Sequence, residues 1–150
     1  MNQAYFSPGN DCLQAIQDNI TATMRSIKIC VFTISDDRIT EALLRACHKG
    51  VQVQLLTDNK KLYDLGSDIR KLAAEGISVR IDRTHNHMHH KFAIFDQEAL
   101  LTGSYNWTRS AANYNHENLL VTNQPDLVSA YLHTFEKLWA EMAVYKVKRP

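Results

Sequence analysis

A short segment in the second half of the chain holds side chains that could attack phosphorus. His89, Lys91 and Asp96 stand in the order His-x-Lys-x-x-x-x-Asp. Residues two apart in a strand project from one face, so the imidazole of His89 and the ammonium of Lys91 are expected side by side. The neutral imidazole could attack a phosphodiester while the ammonium holds the non-bridging oxygens. Asp96 falls on the opposite side, where we expect it to orient neighbouring groups.

A second polar segment follows shortly downstream and could complete a pocket for phosphate. Gly103, Ser104 and Asn106 form the pattern Gly-Ser-x-Asn. Gly103 permits close backbone approach, and the spacing of Ser104 and Asn106 lets a hydroxyl and an amide face the same pocket. Glu117 lies directly before an apolar run. Its carboxylate, bound to one imidazole nitrogen, would fix the tautomer and leave the other nitrogen free to attack.

The histidine-rich segment that contains His89 also raises a metal-dependent alternative. Four of the seven histidines lie at positions 85–90, and His85, Asn86 and His87 spell the letters of the HNH nucleases. The chain has neither a HExxH nor a CxxC pattern, so the usual zinc spacings are missing. We therefore expect no metal site, with His85 and His87 on a polar loop beside the active site rather than in it.

The flanking segments predict one α/β domain over residues 1–150, with a mixed, largely parallel sheet and helices on both faces. In the first half, strands alternate with helices, which predicts right-handed crossovers between parallel strands. In the second half, strands follow one another on short connections, which predicts antiparallel pairing. Strands are expected at 27–34, 51–57, 77–81, 91–95, 99–102 and 118–122, and helices at 11–24, 35–49, 66–75 and from 125 onward.

Composition narrows the class of protein. The 17 Lys and Arg residues nearly balance the 16 Asp and Glu residues, which excludes a broad basic field but allows a local basic groove. No apolar run approaches the roughly 18 residues of a membrane span, and the N-terminus does not resemble a secretion signal. Three cysteines cannot all pair, which favours reduced thiols and a cytoplasmic protein. Residues 146–150 are expected to form a solvated end.

The two polar segments together resemble the signature of the phospholipase D superfamily, HxKxxxxD followed by GSxN. The matching residues are His89, Lys91, Asp96, Gly103, Ser104 and Asn106, and Glu117 stands where the family usually keeps an acidic partner. The resemblance covers nearly the whole chain. It is strongest to the short bacterial endonucleases that carry one such HKD motif per chain, and to the mitochondrial cardiolipin hydrolase and piRNA nuclease group.

This resemblance implies a phospholipase D-like fold and a metal-independent phosphodiesterase that uses no cofactor and forms a phosphohistidine. The implied catalytic residues are His89, Lys91, Asp96, Ser104, Asn106 and Glu117. Such double displacement needs a second imidazole, which protonates the leaving oxygen and then deprotonates the attacking water. The chain carries one motif, so we expect a homodimer whose twofold axis passes through a shared active site, as the resemblance also implies.

Three functions remain open at this point. A nonspecific endonuclease on DNA or RNA is favoured, because no segment resembles a base-reading element. Hydrolysis of a phospholipid such as cardiolipin would favour an amphipathic helix or an exposed apolar patch, and the sequence indicates neither. The chain could also be a catalytically idle nucleic-acid-binding module of a larger protein. Lys60, Lys61 and Arg109 could contact a phosphate backbone, and Tyr105 and Trp107 could stack on bases or pack internally.

Overall fold

Eight strands form a single mixed sheet in the computed structural model of this protein, which describes residues 1–147. Their order across the sheet is β1-β7-β6-β5-β2-β3-β4-β8. The strands are β1 (Asn2–Ser7), β2 (Ser26–Val31), β3 (Gln52–Asp58), β4 (Ser78–Asp82), β5 (Lys91–Phe95), β6 (Ala99–Gly103), β7 (Glu117–Thr122) and β8 (Ala143–Tyr145).

Five helices cover the two faces of this sheet. They are α1 (Asp11–Ala22), α2 (Asp37–His48), α3 (Ile69–Ala74), α4 (Arg109–Asn113) and α5 (Pro125–Glu141), with a short 3₁₀ turn at Asn59–Lys61. Buried side chains of α1 to α4 share one core with the first face of the sheet. Phe135 of α5 packs in a second core with Phe92 and Ile94 on the other face. Each of these helices therefore turns its buried apolar residues toward the sheet.

The predicted α/β class, the mixed sheet and the helices on both faces are confirmed, but the sheet is less parallel than expected. Two strand pairings, β2 with β3 and β3 with β4, are parallel, and five are antiparallel. The difference arises because β5 pairs with β2 in the antiparallel sense and because both edge strands, β1 and β8, add antiparallel pairs. Neither edge strand was predicted, nor was the five-residue helix α4.

Strand direction brings the ends that carry the predicted site to one edge of the sheet. Lys91 opens β5 opposite Val31, the last residue of β2. This border of the sheet, which we call the motif edge, runs across the strand ends and is distinct from the edge strands β1 and β8. It is formed by the carboxyl ends of β1, β2, β3, β4 and β6 and the amino ends of β5 and β7. Loops at such an edge can present side chains from several strands to one substrate.

The predicted solvated end at 146–150 lies mostly outside the described residues. Within residues 1–147, no helix combines the length and the apolar character needed to cross a membrane.

Candidate active site

His89 and Lys91 are brought together at the motif edge, as the spacing predicted. His89 ends the loop that leads into β5, and Lys91 is the first residue of that strand. The Nζ of Lys91 lies 3.0 Å from Nδ1 of His89 and donates a hydrogen bond of 2.8 Å to the backbone oxygen of His89. An ammonium that donates to Nδ1 leaves the proton of the neutral imidazole on Nε2.

The aromatic ring of Phe32 lies against both members of this pair. The ring of His89 packs on Phe32 with 4.5 Å between centroids, and the ring of His87 meets it edge-on at 5.4 Å. The ammonium groups of Lys61 and Lys91 lie 4.8 Å and 5.9 Å from the same centroid. We call these five residues the Phe32 cluster. The sequence does not reveal Phe32 as a site residue, because Phe32 continues an apolar run. In the structure β2 ends at Val31, and the Phe32 ring that follows it is half-buried.

The surroundings of His89 favour the neutral form of its imidazole. Partial burial lowers the pKa of His89, and the neighbouring ammonium of Lys91 lowers it further. Burial also lowers the pKa of Lys91, an effect that the carboxylate of Glu117 opposes. A neutral imidazole beside a cation therefore persists at neutral pH, which is the protonation state that a histidine nucleophile requires.

Ser104 and Glu117 form a hydrogen-bonded pair beside these groups. The hydroxyl of Ser104 donates to Oε1 of Glu117 at 2.8 Å and accepts the backbone N–H of Asn118 at 3.0 Å. The backbone N–H of Glu117 donates to the hydroxyl of Ser7 at 3.2 Å. Glu117 was expected to bind the imidazole of His89, but its partner among the described residues is Ser104, because Lys91 occupies Nδ1 of His89.

Asn106 binds backbone on the neighbouring loop. Its Oδ1 accepts the N–H of Thr33 at 3.2 Å, so the segment that follows β6 is joined to the segment that follows β2. Tyr105 and Trp107, on either side of Asn106, are completely buried. Both aromatic rings therefore pack internally, and neither is placed to stack on a base.

Asp96 lies at the opposite end of β5 from the motif edge. Its carboxylate accepts three backbone N–H groups, from Met24 at 2.9 Å, Arg25 at 2.6 Å and Ser26 at 3.0 Å. Burial acts to raise the pKa of Asp96, but these hydrogen bonds outweigh it and hold the pKa below its usual value. The signature implied that Asp96 is catalytic, whereas the structure places it at the far end of β5 from His89, where it orients the backbone N–H groups of residues 24–26.

Asp58 is a site residue that the sequence did not reveal. It ends β3 and is completely buried. Its Oδ1 accepts the N–H of Met88 at 2.9 Å, and its Oδ2 accepts the N–H of Lys60 at 3.1 Å and lies 3.4 Å from Nδ1 of His87. His87, which we expected on a polar loop beside the site, lies on such a loop, with its ring centroid 6.4 Å from that of His89. The contact of Asp58 with His87 joins residues far apart in sequence, so only the pairing of the strands reveals it.

Among residues 1–147, no group of three or more His, Cys, Asp or Glu side chains is arranged to hold a metal ion. A groove opens beside the motif edge between β5, β6 and α5. It is lined by residues that include His89, His90, Lys91, Thr102 and Tyr131. A phosphodiester could therefore approach the His89–Lys91 pair from solvent.

The sequence of this chain matches a known protein family and several curated proteins. Residues 16–139 match the family model described as cardiolipin synthase, PLD-like domain. The chain is 45% identical over 127 residues to a mitochondrial cardiolipin hydrolase from Chlamydomonas reinhardtii, and 36% identical over 133 residues to the one from Homo sapiens. These alignments cover 85% and 89% of the chain, but only 57% and 53% of the relatives. The chain thus spans little more than half the length of these relatives.

Solved structures show the same fold over the whole domain. Nuc from Salmonella typhimurium, a phospholipase D family member, superposes with a TM-score of 0.92 at 27% identity, covering 98% of this chain and 99% of Nuc. NucT from Helicobacter pylori has a TM-score of 0.88 at 22% identity, covering 97% and 99% of the two chains, which indicates a common fold. The fold and the site thus define a phospholipase D-like domain. The chain belongs to the phospholipase D superfamily of phosphodiesterases.

Proposed function

We propose that this protein is a metal-independent phosphodiesterase that cleaves DNA or RNA as a nonspecific, homodimeric endonuclease through a phosphohistidine on His89. The observation that carries the proposal is the contact of His89 with Lys91 at an open sheet edge, where the pKa of His89 is lowered. Nucleophile and cation are both supplied by side chains, so the chemistry needs no metal ion. One phospholipase D-like domain with one HKD motif, spanning 1–150, would carry this activity.

The first step begins when a phosphate oxygen competes with His89 for the ammonium of Lys91. Once Lys91 turns to the phosphate, Nδ1 can hold the imidazole proton and the lone pair of Nε2 is exposed. Nε2 then bonds to phosphorus as the bond from phosphorus to the leaving oxygen breaks. Lys91 offsets the charge that grows on the non-bridging oxygens.

The second imidazole comes from the partner's His89 across the twofold axis. In its protonated form it donates to the leaving oxygen and becomes neutral. It then takes a proton from water as the water oxygen bonds to phosphorus and the bond to His89 breaks, which regenerates both imidazoles. The two rings titrate as one coupled pair, with one neutral and one protonated at the start of each cycle.

Ser104, Asn106 and Glu117 support this chemistry from the adjacent loops. Glu117 balances the charge of Lys91, while the hydroxyl of Ser104 holds the carboxylate of Glu117 in place. Asn106 fixes the loop that carries Phe32 and Thr33 through its bond to Thr33. Asp96 acts by fixing the far end of β5 and not by touching substrate.

A phospholipid substrate is the second candidate, and two observations favour it. The curated relatives described above are named as mitochondrial cardiolipin hydrolases. In addition, Phe6 of β1 and Leu120 of β7 are exposed by 66% and 40%. The strand register places them on the face of the sheet that α5 covers elsewhere. This small apolar patch, which the sequence did not reveal, could meet acyl chains.

The cytoplasmic location inferred from the cysteines remains a prediction.

The test is cleavage in excess EDTA. The purified protein is incubated with plasmid DNA, single-stranded RNA and cardiolipin vesicles, beside His89→Ala and a control, His133→Ala, which removes an exposed imidazole from α5. Cleavage of nucleic acid that survives EDTA and is lost only in His89→Ala supports the proposal. Loss of cleavage in EDTA would contradict the mechanism. Cleavage of cardiolipin alone would favour the lipid hydrolase, and no cleavage the idle module.

The dimer is tested separately by analytical ultracentrifugation and by subunit mixing. Mixing His89→Ala subunits with wild-type subunits forms heterodimers that hold one imidazole at the shared site. We expect activity to fall with the fraction of heterodimer. An additive activity, with each wild-type subunit working independently, would contradict a shared site.

A further inference from the structure

His87 is an imidazole at the motif edge that the proposed mechanism does not use. Its Nδ1 lies 3.4 Å from Oδ2 of Asp58, a carboxylate that is completely buried and is held by the backbone N–H groups of Lys60 and Met88. The side chain of His87 is 47% exposed, so solutes can reach its outer part. In its doubly protonated form the His87 ring can donate one N–H to Asp58 and the other to a phosphate oxygen.

Lys61 supplies a cation against the same aromatic ring. Its ammonium lies 4.8 Å from the centroid of Phe32, the ring that His87 also contacts. Lys61 also pairs with Asp64 at 3.1 Å, and both side chains are partly exposed. Such surface pairs are weak, so an incoming phosphate can compete with Asp64 for the ammonium.

The spacing between the two imidazoles suggests what would bind there. The ring centroids of His87 and His89 are 6.4 Å apart, and both rings lie against Phe32. The sugar–phosphate link between successive phosphates of a nucleic acid strand can span this separation, and such a strand carries one negative charge per nucleotide. A strand whose scissile phosphate lies at His89 and Lys91 would place its next phosphate near His87 and Lys61.

We infer that His87 and Lys61 form a subsite for the phosphate that flanks the scissile phosphodiester of a nucleic acid strand. The inference rests on the proposed function, because it takes His89 as the point of attack. In the homodimer the twofold axis would repeat the subsite on the other side of the scissile phosphate. The protein would then hold several consecutive phosphates and no bases, which accounts for cleavage without sequence preference.

The test compares two nucleotides that differ by one phosphate and needs no turnover. Isothermal titration calorimetry measures binding of thymidine 3′,5′-bisphosphate and of thymidine 5′-phosphate to the wild-type protein and to a double variant, His87→Ala with Lys61→Ala. The matched control is His48→Ala with Lys49→Ala, which removes the same residue types from exposed positions just before β3, at the opposite edge of the sheet. The single change Lys61→Gln serves if the double variant does not fold.

For the wild type and the control we expect the bisphosphate to bind about tenfold more tightly than the monophosphate. In the double variant the ratio should fall to near one, with an intermediate ratio in Lys61→Gln. Equal binding of both nucleotides to the wild type would overturn the subsite, and so would an equal loss in the control. A parallel assay measures binding to cardiolipin and to phosphatidylglycerol vesicles. A double variant that keeps the nucleotide ratio but loses a preference for cardiolipin vesicles would also overturn the subsite. If the wild type prefers the bisphosphate, the double variant loses that preference and the wild type cleaves no nucleic acid, the endonuclease is refuted and only a two-phosphate binding site at His87 and Lys61 stands.

Discussion

The Nζ of Lys91 and the Nδ1 of His89 lie 3.0 Å apart, so in the free protein the cation of the motif contacts the proposed nucleophile. This contact places the imidazole proton on Nε2, the nitrogen that attacks phosphorus in the proposed mechanism. In that mechanism the pair is a resting state, and the bound phosphate must separate its two members. Binding and activation are then one event, because the oxygen that takes Lys91 also frees Nδ1 to accept the proton.

We predict that the tautomer of His89 changes when an anion binds. Nitrogen-15 NMR of the free protein near neutral pH should show the Nε2–H form, and addition of inorganic phosphate should shift His89 toward the Nδ1–H form. Lys91→Met should show a mixture of both forms without phosphate, because the donor to Nδ1 is gone. His133 provides the internal control. A free protein that already holds the Nδ1–H form would contradict this prediction.

The pH dependence of cleavage should reflect the lowered pKa of His89. Burial and the charge of Lys91 favour the neutral ring, so the nucleophile stays available until the pH falls below the usual value of 6.5. The acidic limb of kcat/KM should therefore lie below pH 6.5. Removing the cation in Lys91→Met should raise the pKa of His89, which an NMR titration of the ring can follow. An acidic limb above 6.5 would argue against a neutral His89 as nucleophile.

Glu117 should support the charged form of Lys91. Its carboxylate opposes the burial that lowers the pKa of Lys91. In Glu117→Gln that support is lost, so the pKa of Lys91 falls further and the ammonium loses its proton at a lower pH. An NMR titration of the Lys91 side chain should therefore show its pKa shifted to lower pH in Glu117→Gln, and we expect kcat to fall by roughly tenfold to a hundredfold. Glu98→Gln, a change of the same type at an exposed pair with Arg25, should leave both the Lys91 titration and kcat unchanged.

The order of the residues predicted most of the fold and the part of the site that is local in sequence. Apolar periodicity located the inner strands and the long helices, because those elements bury one continuous face. It missed β1 and β8, which lie at the edges of the sheet, where exposure weakens the pattern. Likewise, the contact of His89 with Lys91 follows from spacing alone. The contact of Asp58 with His87 depends on how β3 and β4 pair, which spacing does not reveal.

Gly103 should tolerate no side chain. A Cβ at this position would lie far inside van der Waals contact of the backbone oxygen of Asn118 on β7, and backbone cannot rotate away as a side chain can. The close approach expected from the sequence is thus confirmed. Gly103→Ala should force β6 and β7 apart and disturb the pair of Ser104 and Glu117. We expect a loss of about 2–4 kcal/mol in the free energy of unfolding, or failure to fold, measured by urea denaturation. A variant of wild-type stability would show that the strands can separate freely.

Asp96 should contribute to stability and not to the chemical step. Asp96→Ala removes the acceptor of three backbone N–H groups, and we expect it to cost about 1–3 kcal/mol in the free energy of unfolding. Asp96→Asn keeps one acceptor oxygen and suits the positive φ of 54° at this position, so it should cost less.

The pH dependence of this contribution has a definite sign. The folded-state pKa of Asp96 lies below its usual 3.8, so the carboxylate stabilises the fold fully above that value. The difference in stability between wild type and Asp96→Asn should therefore shrink as the pH falls through the lowered pKa. Urea denaturation at neutral pH and in acid measures it, with kcat/KM of the folded variants as the second readout. A folded Asp96→Asn protein whose kcat/KM falls as far as that of His89→Ala would assign Asp96 to the chemistry after all.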